Sequence, residues 1–377
     1  MASTRVHLWR ANEKADLSTD RPDIRTDQRN EHAYRVALLI PMCGAAGMWA
    51  PSCIASAEVA LQELNAQSGI CGRYVELVLI NAAIEAETPA ETLIDDLIIQ
   101  GQIDAIVGMH ISAVRQRVIA AVRGRIPFIY TPLYEGGEAA PGVFAIGDTP
   151  ARQLGPAIRY MSARFRLKKW ALIGNDYIWP RVSHAHAKKE LRCQHLDLAS
   201  ETYLPFSSNK ISEAVEAIGA SGADAVLISL VGQDAVVFNR IFGAMKLHDR
   251  MFRLSCAIEE NGLLASGVRN LDRLFSSASY FARLETAENA EFRAKYHNLH
   301  QERAPMLNAL GQSTYEGLHF LASLVSQPGQ DWRMRASEPV LYKSARRGFY
   351  TTNASNTSPV FVARANGFVF DDLRRLP

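Results

Sequence analysis

From residue 34 onward, short apolar runs alternate with segments whose apolar residues recur at helical spacing. Residues 35–40 (RVALLI) are almost wholly apolar and end at Pro41, the pattern of a strand buried on both faces. Residues 50–66 carry Ile54, Val59, Leu61 and Leu64 on a helical period, and the turn residues of 65–69 close the helix. A strand is predicted at 74–80. A helix is predicted at 88–100, with Thr88 as N-cap, Glu91 three residues on as its capping-box partner, and Gly101 as the stop. The rhythm continues with strand 104–107, helix 113–123, and strands 127–130 and 143–146. Helix 151–165, strand 170–173, helix 179–193, strand 195–204, helix 210–220 and strand 223–229 come next. Helix 233–245, strand 251–255, a short helix 262–266, strand 274–280, and helices 286–300 and 311–324 complete the alternation. After Pro328 only short β runs remain, at 340–342, 348–351, 359–363 and 367–370.

Parallel strands need helical crossovers, so repeated strand–helix units imply parallel sheets covered on both faces. The expected fold is α/β, with two doubly wound parallel-sheet lobes and a ligand cleft between them. The expected division is a disordered N-terminal segment 1–33, a first lobe of 34–148 plus 278–335, and a second of 149–277 plus 336–377.

Composition narrows the function. The 377 residues suit two domains, and 48% apolar with 21% charged residues is ordinary globular usage. A net charge of +2 and the lack of a basic stripe argue against direct nucleic-acid binding. Five cysteines, none in CxxC spacing, argue against a disulfide framework. Residues 1–33 are polar and rich in alternating charge. The first apolar run, 36–40, is too short for a secretory core, and no stretch approaches a membrane span. A cytoplasmic protein with no membrane association is the expectation. Neither GxxxxGK[ST], GxGxxG nor GxSxG occurs, so neither a nucleotide cofactor nor an enzyme is expected. His184, His186, Cys193 and His195 are the densest set of metal-ligand residue types. Positions two apart do not share a helix face, so no metal is expected there.

What remains is a set of hydroxyl and aromatic residues at predicted strand ends, where ligands of open α/β sheets sit. The stretch 168–181 (KKWALIGNDYIWPR) is the clearest, an apolar run turning into a helix with Tyr177 and Trp179 at the corner. His110 and Ser112 follow the strand that ends at Gly108. Tyr130, Thr131 and Tyr134 follow the next, Ser229 and Gly232 follow 223–229, and 255–259 follows 251–255. Hydroxyls and aromatic faces suit a small neutral polar ligand. An amino acid would require an ammonium partner, for which Asp176, Glu135 and Asp234 are candidates. A carboxylate would want a cation, and Arg115 falls inside a predicted helix.

The segment 173–181 (IGNDYIWPR) resembles the GSDYxxPR signature of the type I periplasmic-binding fold, in its amide- and urea-binding branch. The Tyr134-Glu135-Gly136 turn, 108–112 (GMHIS), 61–65 (LQELN) and 69–72 are similar to the corresponding segments of that branch, over about 34–335. The likeness is nearest to regulators of aliphatic amidase expression and those encoded beside nitrile hydratases. It implies a cytoplasmic sensor that binds a short amide or urea-like ligand and controls an RNA-binding antiterminator or other regulatory protein, expected as a homo-oligomer. It also implies that Ser112, Tyr130 and Tyr177 are pocket residues. Where those regulators carry an aromatic two residues before the serine, this chain has His110. Where they carry a pocket threonine, it has Pro132, with Thr131 one position earlier. The alternative is a transporter solute-binding protein for urea, short amides or branched-chain amino acids.

Overall fold

The computed structural model describes residues 9–10, 33–326, 331–333, 339–347, 350 and 358–377. The sequence expectations for the remainder of 1–32, and for most of 348–351, fall outside the described residues. Trp9–Arg10 form a short strand, β1. The first apolar run becomes β2 (Tyr34–Ile40), enclosed on both faces as its continuous apolarity requires. β3 (Val75–Asn81), β4 (Ala105–Gly108), β5 (Phe128–Tyr130) and β6 (Val143–Ala145) complete a parallel sheet of order β1-β3-β2-β4-β5-β6. The helices α1 (Ala50–Ala66), α2 (Ala90–Ile99) and α3 (Ser112–Val122) supply its crossovers.

The second sheet is entered through α4 (Pro150–Phe165). Its parallel part contains β7 (Lys169–Asn175), β8 (Asp197–Leu204), β9 (Ala225–Ser229), β10 (Phe252–Ser255) and β11 (Leu274–Ala278). α5 (Ile178–Cys193), α6 (Ile211–Ala220), α7 (Gly232–Ala244) and α8 (Glu260–Ser266) lie between these strands. The chain then returns as α9 (Ala287–His300) and α10 (Ala309–Val325), which pack on α1 of the first sheet. It ends with β12 (Phe361–Asn366) and β13 (Val369–Arg375), a hairpin added antiparallel to β11.

Setting β1 aside, the first sheet runs β3-β2-β4-β5-β6 and the second β8-β7-β9-β10-β11. In each, the winding direction reverses beside the first strand, between β2 and β4 and between β7 and β9. Loops leaving those carboxyl ends diverge to opposite faces and open a crevice. The two crevices face each other.

Three sequence expectations change. Thr88 does not cap α2. Pro89, with its fixed extended backbone (φ −60°, ψ 135°), occupies the N-cap, so Thr88 stands outside the helix and Glu91 pairs with Arg117 instead (3.4 Å). Of the short β runs near the C-terminus, those at 359–363 and 367–370 form an antiparallel extension of the second sheet, and Val340 makes only an isolated bridge to Tyr350. The segment 339–347 and Tyr350, assigned from sequence with the second lobe, make their contacts with the first. Arg346 pairs with Glu316 of α10, Lys343 with Glu63 of α1, and Tyr350 packs edge-on against Phe144 of β6. Pairings across such sequence distances leave no local pattern. We therefore propose that the tail joins the second lobe near Ser358. No helix among the described residues is long and apolar enough to cross a membrane.

Candidate functional site

β4 ends at Gly108, and the chain turns through Met109, His110 and Ile111 into α3, with Ile111 as its N-cap. Ser112 is thereby the first helical residue, buried at the carboxyl edge of the first sheet. Its Oγ lies 3.5 Å from the Tyr130 hydroxyl, which donates to the His110 carbonyl at 2.6 Å. The His110 Nδ1 lies 3.2 Å from the Ile111 carbonyl, which can only accept, so Nδ1 carries the proton and Nε2 is an acceptor. Burial lowers the imidazole pKa to about 4 and keeps the ring neutral. The Nε2 atom has no hydrogen-bond partner. Burial likewise raises the phenol pKa values of Tyr130 and Tyr177, so both hydroxyls stay protonated and donate.

Behind Tyr130 sits Arg115, its guanidinium 4.9 Å from that ring's centroid and 5.3 Å from that of Tyr134. It is committed to Glu135 (2.5 Å) and Glu138 (3.2 Å), all three side chains being nearly enclosed. The cation that an acidic ligand would need is therefore paired with two carboxylates, and it is not among the residues that line the cleft cavity.

The opposing wall comes from the second switch point. Tyr177 is the N-cap of α5 and packs against Phe206 (5.3 Å between centroids) and Trp179 (6.4 Å). Asn175, fully buried at the end of β7, ties the neighbouring loop down. Its Oδ1 accepts from the Val231 amide (2.9 Å) and its Nδ2 donates to Asp234 (2.7 Å). Val231 caps α7, and Glu259 caps α8.

Between the walls lies a cavity of about 330 Å³, counting its mouth. Trp49, His110, Ile111, Ser112, Tyr130, Pro132 and Leu133 line it from the first lobe. Tyr177, Val231, Ala257 and Glu259 line it from the second, and Leu310 from the start of α10. No Lys or Arg is among these twelve residues. The lobes touch around it: the Gln233 amide donates to the Ala45 carbonyl (2.8 Å), and the Asn261 Nδ2 to the Met48 carbonyl (3.1 Å). The arrangement is closed.

Four of the nine site residues named one by one from sequence meet in this lining, His110, Ser112, Tyr130 and Tyr177, joined by Ala257 and Glu259 of the 255–259 segment. The other five stand elsewhere. Thr131 turns to the Gly108 carbonyl (3.3 Å) and borders a neighbouring cavity. Tyr134 packs edge-on behind Tyr130, and Trp179 lies behind Tyr177. Ser229 is buried against Gly174. Gly232 sits at the contact between lobes, where a β-carbon would come within 2.0 Å of the Ala45 oxygen. Of the proposed ammonium partners, Asp176 is exposed and paired with Arg181, Glu135 is paired with Arg115, and Asp234 binds Asn175 and the Ser207 amide. None lines the cavity, whereas Glu259 does.

Burial raises the Glu259 carboxyl pKa to about 8, and the adjacent Glu260, itself raised to about 7, adds to the effect. A carboxyl raised in the folded state is most favourable when protonated. Its contribution to stability is complete below the ordinary carboxylate range and lost as pH rises through about 8. Thermal stability without ligand should therefore fall between pH 5 and 8, and Glu259→Gln should flatten that slope. An unchanged slope in the variant would show that the carboxyl is already ionised.

A family model described as "Periplasmic binding protein" matches residues 33–366. Among solved structures, a solute-binding protein of an ABC transporter from Rhodopseudomonas palustris HaA2, in complex with p-hydroxybenzoic acid, superposes with a TM-score of 0.81. It is 16% identical, over 92% of this chain and 98% of that one. A second solute-binding protein from R. palustris, in complex with benzoate, gives 0.75 at 18% identity over 91% and 96%. The substrate-binding protein of a branched-chain amino acid transporter from Streptococcus pneumoniae, with isoleucine, gives 0.75 at 13% over 91% and 99%. At these identities the likeness is one of fold.

Proposed function

Because the chain belongs to the periplasmic binding protein family, we propose that it closes two lobes around one small organic ligand, as the solute-binding component of an ABC-type uptake system. The observation that carries this is the cavity at the two facing switch points, lined from both lobes. A molecule that touches both walls binds the closed arrangement better than the open one, and that difference drives closure. The similar structures, which hold benzoates and isoleucine, support a ligand of that size.

The lining favours a neutral ligand. Apolar surface from Trp49, Ile111, Pro132, Leu133, Val231, Ala257 and Leu310 suits a flat or branched hydrocarbon body. Ser112 and Tyr177 offer hydroxyls and His110 an acceptor. With Arg115 spent on Glu135 and Glu138, a carboxylate finds no side-chain cation here. Native mass spectrometry of the protein as purified identifies the ligand. Ser112→Ala is expected to weaken its binding about three- to tenfold, the worth of one hydrogen bond, with stability preserved. Unchanged affinity on calorimetric titration would remove Ser112 from the site.

A second reading keeps the same site and changes the output: a cytoplasmic amide sensor whose closure alters its contact with a regulatory protein. What supports it is the resemblance of residues 173–181 to the signature of the amide- and urea-binding branch. Gene deletion separates the two. Lost uptake of the ligand supports transport. Intact uptake with altered expression of amide-metabolising genes supports sensing.

A further inference from the structure

A second cavity lies beneath the first, at the hinge. It encloses about 510 Å³ of space, its opening included, and is bordered by both crossovers that follow β6 and β11, namely Gly147-Asp148 and Ser279 to Phe281. Pro132, Leu133, Glu259 and Leu310 belong to both cavities, so the two are separated only by shared side chains.

Its polar equipment is unusual. Gln312 of α10 is fully buried and lines this cavity, yet neither its Oε1 nor its Nε2 has a hydrogen-bond partner among the described residues. Gln153 of α4 is 2% exposed. Its Nε2 donates to the Ser277 carbonyl (3.1 Å), which fixes the amide's orientation and leaves Oε1 as a buried acceptor without a donor. A buried polar group left unpaired costs roughly 1–3 kcal/mol, and native interiors rarely tolerate several in one place. Of the ionisable groups at the rim, Arg346, Asp148 and Glu260 are engaged, Glu260 by the Ala282 amide (2.8 Å), while the Glu259 carboxyl is shared with the main cavity. Arg346 binds Glu316 and Ser279, and the Ser279 hydroxyl donates to Asp148. The vacant valences are those of one neutral donor–acceptor pair and one further acceptor.

We propose that this hinge cavity is a second compartment of the ligand site, taking a neutral end group of carboxamide type on Gln312 and Gln153 while the main cavity holds the ligand's apolar body. The inference rests on the reading of the cleft as a ligand site. A carboxamide supplies a carbonyl for the Gln312 NH2, one N–H for the Gln312 oxygen and a second for Gln153. Gln312 stands on a helix packed in the first lobe and Gln153 on one that belongs to the second. An end group held by both ties the lobes together next to the hinge.

Acetamide is the probe. A crystal structure at saturating acetamide should show it hydrogen-bonded to Gln312 and Gln153. By calorimetry, Gln312→Leu and Gln153→Leu should each lower acetamide affinity at least tenfold. Thermal stability should hold or rise in Gln312→Leu, because an unpaired amide is removed, and fall slightly in Gln153→Leu, which also loses the bond to the Ser277 carbonyl. Acetamide ordered only beside Ser112 and Tyr177, with water filling the hinge cavity and both variants unchanged, overturns this inference and leaves the proposed function standing. Acetamide at neither place, with the cleft empty in protein as purified, overturns both.

Discussion

Gly232→Val is expected to leave both lobes folded and to reduce ligand affinity by roughly 100-fold, equivalent to about 2.7 kcal/mol. Gly232 opens α7 with φ +54°, a conformation that β-branched residues strongly resist. A β-carbon there would lie 2.0 Å from the Ala45 oxygen and 2.9 Å from its carbonyl carbon, backbone atoms of the other lobe. Gln233, the next residue, donates to that same oxygen. This is therefore a point of closest approach between lobes, and backbone cannot swing aside as a long side chain could. The valine meets the strained φ in open and closed states alike, but it meets Ala45 only on closing. The clash acts on the closed state alone, and that selectivity turns a packing defect into a binding defect. Small-angle scattering should show ligand-induced compaction in the parent and none in the variant, with unchanged circular dichroism. Full affinity in Gly232→Val would mean that the lobes close on the ligand without this contact.

Gly232 also illustrates what the sequence made legible. Its place at a strand end was readable, and so were the parallel sheets, because strands buried on both faces write continuous apolar runs such as 35–40 and 223–229. The predicted helix 50–66 coincides with α1. The role of Gly232 was not readable, because it depends on a residue in the opposite lobe. The strand-end rule brought His110, Ser112, Tyr130 and Tyr177 to one cavity. It missed Trp49, although Trp49 ends the loop leaving β2 at the first switch point, where the same rule applies. Thr131 came in by adjacency to Tyr130, but successive residues in extended chain point to opposite faces, and Thr131 faces the hinge cavity instead. Leu310 reaches the cleft from the start of α10, capped by Asn308. No local pattern announces a helix that returns to the first lobe after the second is built.

Buried charge is the other part the sequence conceals, and Arg346→Met tests its largest instance. Arg346 is 4% exposed, in the stretch between two short β runs that the sequence suggests at 340–342 and 348–351. Its Nε donates to Glu316 (2.8 Å), its Nη1 to the Ser279 hydroxyl (2.5 Å) and its Nη2 to the Ile146 carbonyl (3.4 Å). One side chain thus joins α10 to the crossovers that follow β6 and β11. Burial alone would lower the guanidinium pKa, but the Glu316 and Asp148 carboxylates outweigh it and raise the pKa above its ordinary value. Removing the cation leaves Glu316, itself fully buried, with only the Ser344 hydroxyl (2.6 Å) as a donor among the described residues. Deleting one partner of a buried pair costs about 3–5 kcal/mol, whereas replacing both by apolar groups is often neutral. Arg346→Met is therefore expected to lower unfolding stability in urea by about that amount, while Arg346→Met combined with Glu316→Leu recovers most of it. Asp148 does not undo the rescue, since the Ser279 amide (3.1 Å) and hydroxyl (2.5 Å) still satisfy it. A double variant no more stable than the single one would place the loss in the hinge geometry that Arg346 organises rather than in the orphaned carboxylate. Ligand affinity would then fall along with stability, because the crossovers that Arg346 joins set the angle at which the lobes meet.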